Sequence, residues 1–200
     1  MTDAELVVIK CDPITFDLYS PQIYAFDCER LMPGMRDALK SGKERPVTTL
    51  LFLDDRAGKD RKVVSFCQFQ CYCIRNASIA DDDADDLVPA VLATSFAVDK
   101  EYQKHTIRAT LADGAVVDKK ISEFVLSVFV DHIRNVVIRQ ISARCIILFS
   151  ANDKLARELY RSISFAEITR RSFNFFGPRN KRDGEYIPMI LVLDESLQFV

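Results

Sequence analysis

Two apolar runs in this chain each lead straight into polar residues suited to binding and proton transfer. Residues 92–98 feed Asp99-Lys100-Glu101-Tyr102-Gln103 and a helix-like start. Residues 145–149 feed Ser150-Ala151-Asn152-Asp153 and a short helical pattern ending in Tyr160. In a parallel sheet, strands that feed helices aim helix N-termini at one sheet edge. The backbone N–H groups there suit an anion such as phosphate.

Other reactive side chains point to simpler roles. Cys67, Cys71 and Cys73 fall within 66–74, which reads as one strand, so period-two alternation puts all three on one face. Neighbours two apart on a strand do not readily form a disulfide, and the paired C-x₂-C spacing of a zinc site is missing. Buried, reduced thiols are expected for all six cysteines, and no metal site. Asp81, Asp82, Asp83, Asp85 and Asp86 crowd the segment 76–86. Like charges so close favour a solvated loop, or an acidic rim toward a cationic substrate. Calcium would need spaced ligands, a glycine and a terminal glutamate. Of the two histidines, His132 sits beside the apolar stripe of a long helix, and His105 follows Gln103.

The elements that must position these residues read as a mixed α/β chain. An edge strand over 5–10 precedes two short helices over 16–39, broken near Pro33-Gly34. A polar connector, 41–46, leads to a hairpin of strands 47–53 and 62–74 around the turn 54–60. A long strand covers 88–98. The clearest helix spans 121–141: Ile121, Phe124, Val125, Val128, Phe129, Ile133, Val136, Val137 and Ile141 recur at three and four, with Asp118 as the expected N-cap. A buried-type strand over 143–149 comes next. A helix over 153–162 then turns Leu155, Ala156, Leu159 and Ile163 inward. A strand starting at 165–170, a basic aromatic loop over 173–183 and a last strand over 185–193 complete the order.

At 200 residues, 48% hydrophobic and 28% charged, the chain has the make-up of one globular domain over 1–200 with a substantial core. A net charge of −2 gives no global attraction to nucleic acid or an anionic membrane. No apolar run approaches the roughly 20 residues of a membrane span. The acidic start Met1-Thr2-Asp3-Ala4-Glu5 lacks a signal peptide's positive charge, so a cytoplasmic location is expected.

This element order and two sequence blocks resemble the GNAT acyltransferase superfamily, whose members move an acetyl group from acetyl-CoA to an amine. Phe96-Ala97-Val98-Asp99-Lys100-Glu101-Tyr102-Gln103 looks like that family's fourth strand and the approach to its pyrophosphate loop. The block 150–165 resembles its A-N-x-x-A-x-x-x-Y-x-x-x-G-F pattern, with Ser164 in place of the glycine and Ala151-Asn152 one residue further from Ala156 than in the pattern. The resemblance implies a mixed, mostly antiparallel central sheet with flanking helices. It also implies acetyl-CoA as cofactor and a primary amine as acceptor. Phe96, Ala97 and Val98 would hold the pantetheine arm through their backbone, and a backbone N–H there would polarise the thioester carbonyl. The fourth and fifth strands, here 91–98 and 145–149, splay apart in that family to admit the cofactor. Asn152 matches the asparagine that contacts the arm. Tyr160 matches the tyrosine that protonates the departing thiolate, a role that a phenol of pKa about 10 can fill.

The family loop Q/R-x-x-G-x-G/A appears here as Gln103-Lys104-His105-Thr106-Ile107-Arg108-Ala109, without its glycines. Two placements stay open. Residues 103–109 form the phosphate loop despite the substitutions, which is the favoured placement. Alternatively, 104–117 are an insertion, and the helix starting near Asp118 supplies the anion site with Lys119 and Lys120 beside it. Glu101 and Asp99 are candidate general bases, as is a water chain. Three functions compete: an N-acetyltransferase, a non-catalytic relative serving as a binding module, and a tRNA-acetylating enzyme of toxin type. The last would use Arg170, Arg171, Arg179, Lys181 and Arg182 interleaved with Phe173, Phe175 and Phe176 to meet RNA. The aromatic C-terminal region would serve a homodimer or line a substrate wall.

Overall fold

The computed structural model describes residues 6–12, 15, 18–19, 21–23, 47–56, 61–76, 87–110, 116–168, 173–175 and 186–194. The acidic segment 81–86, the break at 113–115, the basic residues 179–182 and most of the two early helices lie outside them. The chain divides into two compact units, residues 1–70 with 95–128 and residues 71–94 with 129–200.

β1 (Leu6–Cys11) and β2 (Thr48–Asp54) belong to the first unit, with β3 (Lys62–Asn76) up to Gln70 and β4 (Leu87–Val98) from Ser95. β1 pairs antiparallel with β2 from Leu6↔Asp54 to Cys11↔Thr49, and β2 pairs antiparallel with β3 from Thr48↔Phe69 to Asp54↔Lys62. The register slips between Phe52↔Ser65 and Leu53↔Val63, which leaves Val64 as a bulge. Leu51, Leu53, Val63, Phe66 and Ile23 are fully buried together. Burying each such side chain contributes roughly 1.5–3 kcal/mol, and this explains why β2 is a continuous apolar run rather than an alternating one.

After β4 comes an element that periodicity did not reveal. β5 (Thr106–Thr110) and β6 (Val116–Lys120) form their own two-stranded hairpin, from Thr106↔Lys120 to Thr110↔Val116. Helix α1 (Ile121–His132) starts directly after it. Asp118 is therefore a strand residue and not the N-cap; its carboxylate lies 3.8 Å from Arg108 across the hairpin.

The expected long helix is continuous but not uniform. A π-helical turn, Ile133–Val137, links α1 to α2 (Ile138–Ile141). Ile133 and Val137 are buried, while Val136, expected inward, is 42% exposed. The widened turn rotates it out of the stripe. In the second unit β7 (Cys145–Ala151) runs parallel to β4 and antiparallel to β10 (Tyr186–Val192). β10 carries β8 (Ala166–Glu167), and β9 (Phe173–Phe175) pairs with the end of β3. Ile74, Ala90, Cys145 and Ile147 are the centre of this unit's core. The expected fold class, a mixed α/β chain with a mostly antiparallel sheet and flanking helices, is the one adopted.

Among the described residues Cys67, Cys71, Cys73 and Cys145 are free thiols. Burial was expected for all of them and holds for Cys67 and Cys145; Cys71 and Cys73 are exposed. Among the described residues no helix is long and apolar enough to cross a membrane.

Candidate functional site

In the second unit, the 150–165 block folds as a strand end, a capped helix and a tight turn. Asp153, extended at φ −123, accepts the Ala156 N–H on Oδ1 at 2.9 Å and so caps α3 (Lys154–Ser162). Asn152, one residue earlier, is exposed. Tyr160 is half-buried, with its ring 6.0 Å from that of Phe165 at 68°. The Tyr160 carbonyl accepts the N–H groups of Ile163 and Phe165 at 3.3 and 3.1 Å. This return turn puts Ser164 at φ 74. Positive φ is the conformation that glycine tolerates best. The serine thus holds, at an energetic cost, a backbone shape that glycine adopts freely. Leu155, expected inward, is 78% exposed. It occupies the first turn of α3, where the inward stripe starts later.

The parallel register of β4 with β7 runs from Ala90↔Cys145 to Ala93↔Leu148. Each strand continues past it, β4 to Val98 and β7 to Ala151.

In the first unit, the residues after β4 form a tight turn. Tyr102 N–H and Gln103 N–H both donate to the Asp99 carbonyl, and His105 N–H donates to the Tyr102 carbonyl. The Gln103 side-chain amide bends back and donates to the Val98 carbonyl at 2.9 Å. From Thr106 onward the chain is a strand. Gln103, Lys104, His105, Thr106, Ile107, Arg108 and Ala109, the favoured placement of the phosphate loop, are a turn followed by β5. Alternate backbone groups of Thr106, Ile107, Arg108 and Ala109 are spent on the ladder with β6. Such groups cannot close around an anion as a glycine loop does. The physical reason is β-branching: Thr106, Ile107, Val116 and Val117 favour a hairpin. Ile107 is buried, whereas Lys104, Thr106 and Arg108 are exposed. The His105 carbonyl accepts the first N–H of α1, from Ile121, at 3.0 Å. Among the described residues its buried Nδ1 has no hydrogen-bond partner.

Both acidic candidates near β4 make polar contacts within the first unit. Asp99 Oδ1 accepts the Glu101 N–H at 2.9 Å. Glu101 is paired with Lys62, whose hydrogen bond and charge hold the Glu101 carboxyl below its ordinary range. Sequence reasoning missed a polar cluster alongside them. Asp54, at the end of β2, accepts from Arg56 Nε at 2.8 Å, Arg56 Nη2 at 2.5 Å and the Tyr102 hydroxyl at 3.1 Å. Its only sequence signal was the turn around Asp54-Asp55-Arg56.

No protein-family model matches the chain, and no curated protein matches its sequence. Solved structures do share its fold. A bacterial toxin superposes with a TM-score of 0.64 at 15% identity, over 94% of this chain and 91% of that one. AtaTR bound with AcCoA gives 0.57 at 14%, over 94% of each chain. The NatC complex bound to Gag peptide and CoA gives 0.56 at 16%, over 94% of this chain and 99% of that one. The chain has the GNAT fold.

Proposed function

We propose that this GNAT-fold chain is an N-acetyltransferase that moves an acetyl group from acetyl-CoA to a primary amine. The observation that carries the reading is the local geometry of the 150–165 block: a capped helix, Tyr160 in its last turn, and a positive φ at the position where the family has glycine. Structural neighbours described with AcCoA or CoA bound support the cofactor. Tyr160 acts as the acid toward the departing thiolate, and Asn152 and the backbone of Phe96, Ala97 and Val98 contact the cofactor arm. Acetyl-CoA, when bound, supplies the activated acyl group. With 106–110 built as a strand, we assign the pyrophosphate to the start of α1, with Lys119 and Lys120 beside it. A cytoplasmic location belongs to the same proposal.

A second reading is a non-catalytic relative. The observation favouring it is the β5–β6 hairpin, which stands where the family's glycine loop would be. The likeness to a bacterial toxin keeps a toxin-type acetyltransferase as a variant of the first reading.

Thermal unfolding with rising acetyl-CoA separates the two. A ligand that binds only the folded chain raises the melting temperature with concentration. An unchanged melting temperature at millimolar acetyl-CoA rejects the enzyme. Where binding occurs, Tyr160→Phe should lower turnover and spare affinity.

A further inference from the structure

The last peptide groups of β4 are held by side chains as well as by strand pairing. Ser65, fully buried at the start of β3, donates its hydroxyl to the Ala97 carbonyl at 2.6 Å. Two residues beyond Ala97, the Asp99 N–H donates to the carbonyl of the bulge residue Val64 at 2.9 Å. Both bonds reach β3, so the polar groups of residues 97 and 99 face that strand. Strand alternation turns the N–H and C=O of Val98 to the opposite edge. Peptide planarity gives the same result independently. The Ala97 C=O and Val98 N–H belong to one trans peptide and point in opposite directions. On that outer edge the Gln103 amide covers the Val98 carbonyl at 2.9 Å.

We propose that Ser65 and Gln103 are positioning residues: Ser65 holds the Ala97–Val98 peptide so that the Val98 N–H aims at the acyl carbonyl of acetyl-CoA, and Gln103 covers the adjacent carbonyl that would repel it. The inference rests on the acetyltransferase reading and deepens it. As the amine nitrogen bonds to the acyl carbon, the carbonyl electron pair moves onto oxygen. The pair then returns, the C–S bond breaks, the nitrogen loses a proton to solvent and the thiolate gains one. Negative charge builds on the oxygen, where an aimed N–H stabilises it. The hydrogen bond that Ala97 accepts from Ser65 polarises this N–H further.

The test uses acetyl-CoA carrying ¹³C at the acyl carbonyl, with unacylated CoA as control. In the wild-type complex the labelled C=O stretch should lie at lower frequency than in free acetyl-CoA. Ser65→Ala should remove most of that shift. It should weaken acetyl-CoA about fivefold, the worth of one ordinary hydrogen bond, while CoA stays within about twofold. Gln103→Leu, at an exposed residue that leaves the core intact, should remove part of the shift and decides the matter if Ser65→Ala does not fold. A full shift in the folded variants, or equal weakening of both ligands, overturns the positioning roles and leaves the acetyltransferase reading standing. A wild-type chain that binds neither ligand overturns both.

Discussion

The Tyr102 hydroxyl donates to Asp54 Oδ2 at 3.1 Å and joins two residues 48 positions apart in the chain. Arg56 holds the same carboxylate through its guanidinium and its backbone N–H. The turn that leaves β4 is thereby tied to the end of β2, with the Lys62–Glu101 pair as a second tie. Burial makes these bonds matter: the Asp54 side chain is 6% exposed and Tyr102 is 7% exposed.

Folding stability should therefore fall at both pH extremes. Arg56 above all draws the Asp54 pKa down from 3.8 to about 2. The folded carboxyl binds its proton less readily than the unfolded one, so its contribution is complete above about pH 4 and is lost as pH falls toward 2. Its size is about 2 kcal/mol. Burial, and then the bond to Asp54, pushes the Tyr102 hydroxyl up to about 12. Its contribution is complete below pH 10 and is lost between 10 and 12. Urea unfolding at pH 2.5 and pH 6 should show the acid slope, and Asp54→Asn should flatten it. An equal slope in the variant rejects the assignment.

Ser164→Gly should stabilise the chain by about 1 kcal/mol. An L-residue at positive φ carries a cost that glycine does not. Ser142, which ends α2 at φ 51 and ψ 33, should respond in the same direction. Urea midpoints at constant m-value report the gain. A destabilised Ser164→Gly would mean that the serine hydroxyl contributes more than the backbone strain costs.

Thiol labelling should split the cysteines by environment. Cys71 and Cys73 should react with a maleimide in the native state. Cys67 and Cys145 should react only after unfolding. Burial raises both of these thiols, Cys145 to about 12, so little thiolate forms at neutral pH. Peptide mapping by mass spectrometry assigns each site. Fast native labelling of Cys67 would contradict its burial.

Asp153→Ala should cost about 1 kcal/mol through loss of the cap on α3. Asp153→Asn should recover most of it. Thermal midpoints of the three proteins make the comparison, and an unaffected alanine variant would rule out the cap as a stabilising contact.

The parts of the fold legible in the sequence are those decided by near neighbours. The helix over 121–141 followed from apolar residues recurring at three and four, and α3 from Asp153 and its amphipathic spacing. Where the same reasoning named individual faces it was less secure. Leu155 and Val136 fit an apolar stripe yet are exposed, because period alone does not say where along the helix a partner packs. The β5–β6 hairpin was written locally too, in two β-branched runs around Asp113-Gly114-Ala115. Its position where the family pattern demanded a phosphate loop masked that signal.

By itself the sequence determined the hairpin of β2 and β3, the strand–helix block around Tyr160 and the serine that stands in the glycine position. Each of these depends on caps, turns and periodicity acting over a few residues. Only the tertiary structure decided that Tyr102 meets Asp54, that Ser65 holds the Ala97 carbonyl and that Gln103 folds back on Val98. The first two contacts span 48 and 32 residues and exist only once β2, β3 and β4 lie in register. The bulge at Val64 shifts the β2–β3 register, and strand pairing at such separation leaves no periodic mark in the sequence.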